Sequence, residues 1–447
     1  MTGICGLIGQ TENLQSKTDA LLSQMLRRGS ESRSFSRELP GGGRIMMGLC
    51  SSRILPPIKQ ESMPIVLDGV FFENDKKPGE KELSGPGRLV QTPGAFSFLL
   101  STQDQLVAGR DIVGQKPLYL GSTTDGTTAF CSLRKPLLSL GINQPLPVPP
   151  GHLIQVSQDG ETHTTDFSLK QPREEPTNEN EATSNLDELF SEAIGKTLPR
   201  HSAIAFSGGL DSGLVAKVAK DEGLEPELIS VGLRGQAELE HARHIARDLD
   251  LDIHVWEMSE REILEALPGV VETVETSDPT IVGISIPIYF ACAKARELGL
   301  DYLAAGQLSD ELFGGYGRFE DIARDKEVDN LSAAMFSSVV AASPNDFDPG
   351  DKLAVAAGLE LCCPFAYLPL VEYSLRIPPS LKVKVEEGKV IRKYILRRLA
   401  ARLGLPESVV DRPKKAVQYS SGVQRLLLKE AKRKGISLSK MLESFMG

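Results

Sequence analysis

At 447 residues the chain is too long for one ordinary hydrophobic core, so two domains are expected. It is 40% hydrophobic and 25% charged, with no apolar run long enough for a bilayer and no basic leader at its start, so a cytoplasmic protein without a membrane contact is expected. The net charge of -10 argues against general nucleic-acid binding, although residues 381–447 carry 17 Lys and Arg against 6 Asp and Glu.

Six cysteines (Cys5, Cys50, Cys131, Cys292, Cys362 and Cys363) are scattered without a CxxC pair, and the six histidines stand at no zinc spacing from them. Neither a disulfide framework nor structural zinc is expected.

The first 168 residues alternate short apolar runs with turn residues, as in Gly94-Ala-Phe-Ser-Phe-Leu-Leu100 and Gln105-Leu-Val-Ala108, and predict antiparallel strands. Residues 169–185 are polar and lack a period, which reads as a linker. From 186 to 447 strand and helix alternate: helix around Leu186, Leu189, Phe190 and Ala193, strand Ala203–Phe206, helix Gly213–Ala219, strands Glu227–Val231 and Ile253–Trp256, helix Pro287–Leu298, strand Tyr302–Ala305. That order implies a doubly wound parallel sheet with ligands at the carboxyl ends of its strands. From Leu353 onward the pattern is mostly helical.

Two loops fall at such strand ends. In the first, Phe206-Ser-Gly-Gly-Leu-Asp-Ser212, the glycines let the backbone approach phosphate. The N–H groups of the helix start, with Ser207 and Ser212, can then hold the anion, and Asp211 its magnesium ion. It is not a Walker loop, because no Gly-Lys-Ser/Thr follows. The second, Ala305-Gly-Gln-Leu-Ser-Asp-Glu-Leu-Phe-Gly-Gly-Tyr316, offers Asp310 as a second magnesium ligand.

The first loop resembles the signature of the ATP pyrophosphatases, and the second repeats the Ser-Asp-Glu-Leu-Phe-Gly-Gly-Tyr of asparagine synthetases as Ser309–Tyr316. Matches continue through Asp351–Phe365, Arg392-Lys-Tyr-Ile-Leu-Arg397 and Arg412-Pro-Lys414, and in the first half through Gly94–Phe98 and Gly109–Tyr119. The resemblance implies an α/β protein of two domains. Residues 1–168 would be an Ntn-hydrolase-like antiparallel sandwich of the glutamine amidotransferase type. Residues 186–447 would be an ATP-pyrophosphatase sheet with a helical extension.

It further implies ATP and Mg2+ as cofactors, with ATP held by Phe206, Ser207, Gly208, Gly209, Leu210, Asp211, Ser212, Val231, Ala305 and Gly306. Asp211 and Asp310 would hold metal and Lys414 would contact pyrophosphate. The partners would be a small carboxylate and ammonia or an amine, with a homodimer compatible. The implied activity is adenylation of the carboxylate and amide formation, as in asparagine biosynthesis. Internal amide cyclases of the same superfamily and RNA-modifying ATP pyrophosphatases are the alternatives.

The chain departs from the family at several places. Gln307 stands where the family has a glutamate base, and an amide cannot take a proton at neutral pH. Free ammonia would then have to arrive neutral, or another group, with Tyr367 the nearest candidate, would act as base. Cys362 and Tyr367 replace a family arginine and aspartate, which puts aspartate as substrate in doubt. In the first half Thr2 occupies the position of the terminal cysteine nucleophile, Asp68 that of the oxyanion-hole asparagine, and Val70 that of a glutamate that grips the glutamine amine. On the same resemblance Arg53 would be what survives of the glutamine pocket. An aspartate facing the oxyanion would repel it, so a largely inactive glutaminase domain and direct use of ammonia are expected.

Overall fold

Strand β1 (Thr2–Gly9) is buried on both sides, and its period of two assigns each residue to a different core. Ile4 and Ile8 pack with Val66, Leu99, Leu106 and Ile154 between two sheets. Cys5 and Leu7 point the other way, onto the helix Leu14–Gln24. Gly6 lies on the inner face, where a Cβ would come within 2.8 Å of Leu99, so glycine lets the sheets approach there. Burying each of these large aliphatic side chains contributes roughly 1.5–3 kcal/mol.

The computed structural model describes residues 2–52, 64–72, 85–325, 328–413 and 421–446, with 328 and 329 described by backbone alone. The chain divides into two compact units, Met1–Leu169 and Lys170–Gly447. In the first unit, β1 is joined by β2 (Glu31–Glu38), β3 (Arg44–Ser51), β4 (Ile65–Phe71), β5 (Gly94–Ser101), β6 (Gln105–Arg110), β7 (Tyr119–Ser122), β8 (Thr128–Cys131), β9 (Leu146–Pro147), β10 (His152–Ser157) and β11 (Thr162–Asp166). They form two sheets with orders β2-β3-β1-β8-β7-β9 and β11-β10-β6-β5-β4. The pairings are antiparallel, as the alternating apolar runs require.

The second unit holds a five-stranded parallel sheet of β12 (Ala203–Ala205), β13 (Glu227–Leu233), β14 (Ile253–Met258), β15 (Tyr302–Ala304) and β16 (Glu360–Cys362), in the order β14-β13-β12-β15-β16. The chain steps outward from β12 to β14 and then returns to place β15 on the other side of β12. The strand order therefore reverses between β12 and β15, where open α/β sheets take their ligands.

Local signals set the helix boundaries. Helix Glu260–Val274 starts on a capping box between Ser259 and Glu262, and helix Pro279–Glu297 starts on the side chain of Asp278 with proline in its first turn.

One sequence reading is corrected. The 169–185 segment is not wholly linker, because Asn178 accepts the Glu181 N–H and starts a helix, Glu179–Thr197, inside it. The chain after Leu353 is mostly helical, as its pattern predicts. It also supplies β16 and a hairpin, β17 (Val383–Glu386) with β18 (Lys389–Arg392), turned by Glu387 and Gly388 at φ 49° and 78°. Two residues at positive φ between valine-rich runs are a hairpin signal that helical periodicity hides. Among the described residues no helix is long and apolar enough to cross a membrane.

Candidate active site

The first loop leaves β12 at Phe206, whose N–H donates to the Ile229 carbonyl of β13 at 2.8 Å. Gly208 has φ 66°, and a Cβ there would meet the Ala242 backbone at 3.0 Å, so both conformation and space demand glycine. Gly209 has φ -87° and carries no such demand; it precedes helix Leu210–Asp221. Ser207 and Ser212 fold the loop on itself, with their hydroxyls 3.2 Å apart and Gly209 N–H donating to Ser207 Oγ at 3.3 Å. The loop thus presents a helix N-terminus lined with hydroxyls, an arrangement that favours phosphate. His241 contacts the Gly208 carbonyl at 3.0 Å, and its pKa is lowered by burial and by the nearby Arg412.

Phe206, Ser207, Gly209, Leu210, Asp211 and Val231 line a pocket that opens to solvent. Ile229, Leu239, Pro287, Ile288 and Ala291 add an apolar wall, and Lys393, Arg397 and Arg412 bring positive charge to its floor. An apolar wall beside a helix N-terminus and three cationic side chains suits a nucleotide.

The second loop follows β15. Ala305 donates to the Cys362 carbonyl, and Gly306 lies against Asp211, where a Cβ would come within 3.0 Å of the aspartate Cβ. The two loops therefore meet across the strand-order reversal. Leu308, at φ 73°, starts the short helix Ser309–Phe313, from which Ser309 Oγ donates to Asp211 Oδ1 at 2.8 Å.

Between the carboxylates lies a lysine to which the sequence reading gave no role. Lys393, 1% exposed and at φ 55° just after β18, has its Nζ 2.6 Å from Asp211 Oδ1 and 2.6 Å from Asp310 Oδ1. It also donates to Ser309 Oγ at 3.1 Å. The one signal in the sequence was its place in Arg392-Lys-Tyr-Ile-Leu-Arg397. Two carboxylates converging on one cation are an oxygen donor set that would fit magnesium, leaving positions for phosphate and water. Among the described residues no cluster of three or more His, Cys, Asp or Glu could hold a metal by itself.

Gln307 faces away from this cation. Its Nε2 donates to Asp346 Oδ1 at 2.9 Å and to the Asp346 carbonyl at 3.1 Å, while Cys363 Sγ donates to its Oε1 at 3.1 Å. A Cβ on Gly350 would stand 2.9 Å from Gln307 Nε2, so the amide is held against bare backbone.

Tyr367 is the base candidate suggested by its position in the sequence. It is buried, and its hydroxyl donates to Glu192 Oε1 on helix Glu179–Thr197 at 2.6 Å. Tyr316 donates to Glu311 Oε1, and its hydroxyl is pushed far above the ordinary tyrosine range by burial, then by Glu311, Asp310 and Asp346. Burial likewise raises Glu311 above the usual carboxylate range. Lys414 and Arg53 lie outside the described residues.

An asparagine synthase family model matches residues 185–339 and 320–441, spanning both loops and Lys393. The chain belongs to the asparagine synthase family. It is 30% identical over 407 residues to the putative glutamine-hydrolysing asparagine synthetase 1 of Methanocaldococcus jannaschii, covering 80% of this chain and 74% of that one. With the glutamine-hydrolysing asparagine synthetase B of Escherichia coli the identity is 30% over 76% of this chain and 63% of that protein, so the match spans less than two thirds of that relative. A glutamine phosphoribosylpyrophosphate amidotransferase structure from Bacillus subtilis overlaps 68% of this chain and 81% of its own, at 13% identity and a TM-score of 0.32.

In this family member the first unit keeps Thr2 and Asp68 together in a closed network. Thr2 Oγ1 donates to Asp68 Oδ1 at 2.8 Å, Arg28 Nη2 to Asp68 Oδ2 at 2.7 Å, and Ser132 Oγ to Asp68 Oδ2 at 3.1 Å. Arg28 and Asp68 are 2% and 1% exposed. The expectation that Asp68 would project its charge at an oxyanion is thus modified: the charge is turned inward and met by Arg28, a partner that sequence spacing did not reveal. Burial raises the Cys5 thiol well above its usual range, which keeps it protonated.

Proposed function

We propose that the protein is an ATP-dependent ligase of the asparagine synthetase type, which adenylates a carboxylate, releases pyrophosphate and joins the acyl group to ammonia or an amine. The observation that carries this reading is the convergence of Asp211, Asp310 and Lys393 beneath a helix N-terminus at the strand-order reversal. The adenine ring would lie against Ile229, Leu239 and Pro287, near the Val231 backbone. Phosphates would rest on the N–H groups that open helix Leu210–Asp221. Asp211 and Asp310 would hold magnesium, which neutralises triphosphate charge. Lys393 and Arg397, at the same floor, would stabilise charge developing on the departing pyrophosphate, and Lys414 is proposed to join them.

Cys362 supports a carboxylate other than aspartate. It stands where the resemblance expects an arginine, and a buried thiol offers no cation for a second substrate carboxylate. Direct use of an amine, without glutamine hydrolysis, is supported by the closed Thr2–Asp68–Arg28 network.

ATP–pyrophosphate exchange across a panel of carboxylates tests the reading. Exchange with at least one carboxylate, producing AMP and no ADP, is expected, and it is lost in both Asp211→Asn and Asp310→Asn. ADP as product, or full exchange in Asp211→Asn, would overturn it.

A further inference from the structure

We propose that Asp346 accepts the proton of the attacking amine, in place of the carboxylate that Gln307 cannot supply. The inference rests on the ligase reading and adds a residue to it.

Gln307 is committed at both ends. Its amide nitrogen lies against the Asp346 carboxylate and its oxygen takes the Cys363 S–H, which together fix which way the amide points. The acidic oxygens at this point of the second loop therefore belong to Asp346, delivered from 39 positions away. They arrive on a π-helical turn, Ser343–Phe347, that interrupts the helices on either side. Such turns displace the chain at a cost in regular hydrogen bonding and recur at functional sites. Asp346 is half-buried, so its charge is partly shielded from water.

The neighbours are poor proton acceptors. Tyr316 holds its proton and donates it to Glu311, while Glu311 is buried and engaged by that hydroxyl. Tyr367 is spent on Glu192. Asp346 also acts electrostatically on Tyr316, along with Glu311 and Asp310. On the ligase reading, the ligand that meets this carboxylate is ammonium or a primary ammonium group.

The step balances as follows. An ammonium N–H proton passes to Asp346, and the nitrogen lone pair forms the C–N bond to the acyl-adenylate carbon. The C–O bond to AMP breaks with its electron pair on the phosphate oxygen, and the second nitrogen proton leaves to solvent. Gln307 is then a positioning residue that aims the carboxylate.

The test uses the full chain, the carboxylate with the highest exchange rate, and either ammonium chloride or hydroxylamine as nucleophile. Loss of a general base costs about a hundredfold or more. Asp346→Asn should therefore lose about a hundredfold in amide formation from ammonium while pyrophosphate exchange falls only a few-fold. Hydroxylamine, largely unprotonated at neutral pH, should lose far less, and Asp346→Asn combined with Gln307→Glu should recover amide formation. Amide formation within a few-fold of wild type in Asp346→Asn would overturn the proposal. So would equal losses with both nucleophiles, or equal losses in exchange and amide formation without recovery in the double variant. Absence of exchange from the wild type with every carboxylate would instead end the ligase reading.

Discussion

Lys393 places a full positive charge between two carboxylates where water scarcely reaches, so each of the three groups depends on the others. Removing one member of a buried charge cluster costs about 3–5 kcal/mol, because the remaining charges are left uncompensated. Lys393→Met is therefore expected to lower the melting temperature and to abolish pyrophosphate exchange at temperatures where the variant is still folded. Added Mg2+ should raise its melting temperature more than that of wild type, since Asp211 and Asp310 then face each other without an internal cation. Equal magnesium shifts in the two proteins would argue against a shared cation position. Gly208→Ala tests the loop on its own terms: positive φ and a 3.0 Å approach to the Ala242 backbone predict at least a tenfold weaker response of exchange to ATP. An unchanged ATP dependence would remove the loop from the nucleotide site. The loop residues could be read from the sequence because each motif is contiguous. Lys393, Asp346 and Glu192 could not be given roles, because their partners lie 182, 39 and 175 positions away and only the fold joins them.

Among the elements, short helices and turns carry the signals that periodicity blurs. β12 and β13 read correctly as continuous apolar runs because a parallel strand is covered on both faces. β16 is three residues long and β17 begins directly after the four-residue helix Pro379–Lys382, too little sequence for either period to emerge. That helix buries Lys382, whose pKa falls to about 7 through burial, partly opposed by Glu174. Its folded value lies below its unfolded one, so between about pH 7 and 10.5 the unfolded chain binds the extra proton and stability rises with pH. Lys382→Met should raise the melting temperature near pH 7 and flatten this dependence, with the gain gone above about pH 10.5. A variant that melts lower at pH 7 would mean that the ammonium is satisfied inside the fold. For helix Glu260–Val274, Ser259→Ala should cost about 1 kcal/mol, read as a lower denaturant midpoint at unchanged slope.

At the scale of the whole molecule the two units have separate cores, and the first carries its own buried charge pair. Asp68 accepts from Arg28, Thr2 and Ser132, and so ties the start of β1, the turn before β2, β4 and the end of β8 to one carboxylate. Asp68→Asn is the informative change, because asparagine is what the family resemblance expects at that position. It keeps the shape but removes the charge, leaving the Arg28 guanidinium buried opposite a neutral amide that brings two donors of its own. Breaking the pair from one side predicts a loss of about 3–5 kcal/mol confined to the first unit. Hydrogen exchange should therefore quicken in β1, β4 and β8 and stay unchanged in β12 and β13, with ATP–pyrophosphate exchange retained. No glutamate release from glutamine should appear, since restoring one amide does not return a thiol at Thr2 or the missing carboxylate at Val70. If glutamine hydrolysis did appear, and then disappeared on adding Thr2→Ala, the Arg28–Asp68 pair would be a lock on a competent threonine nucleophile, and ammonia could be generated by the protein itself.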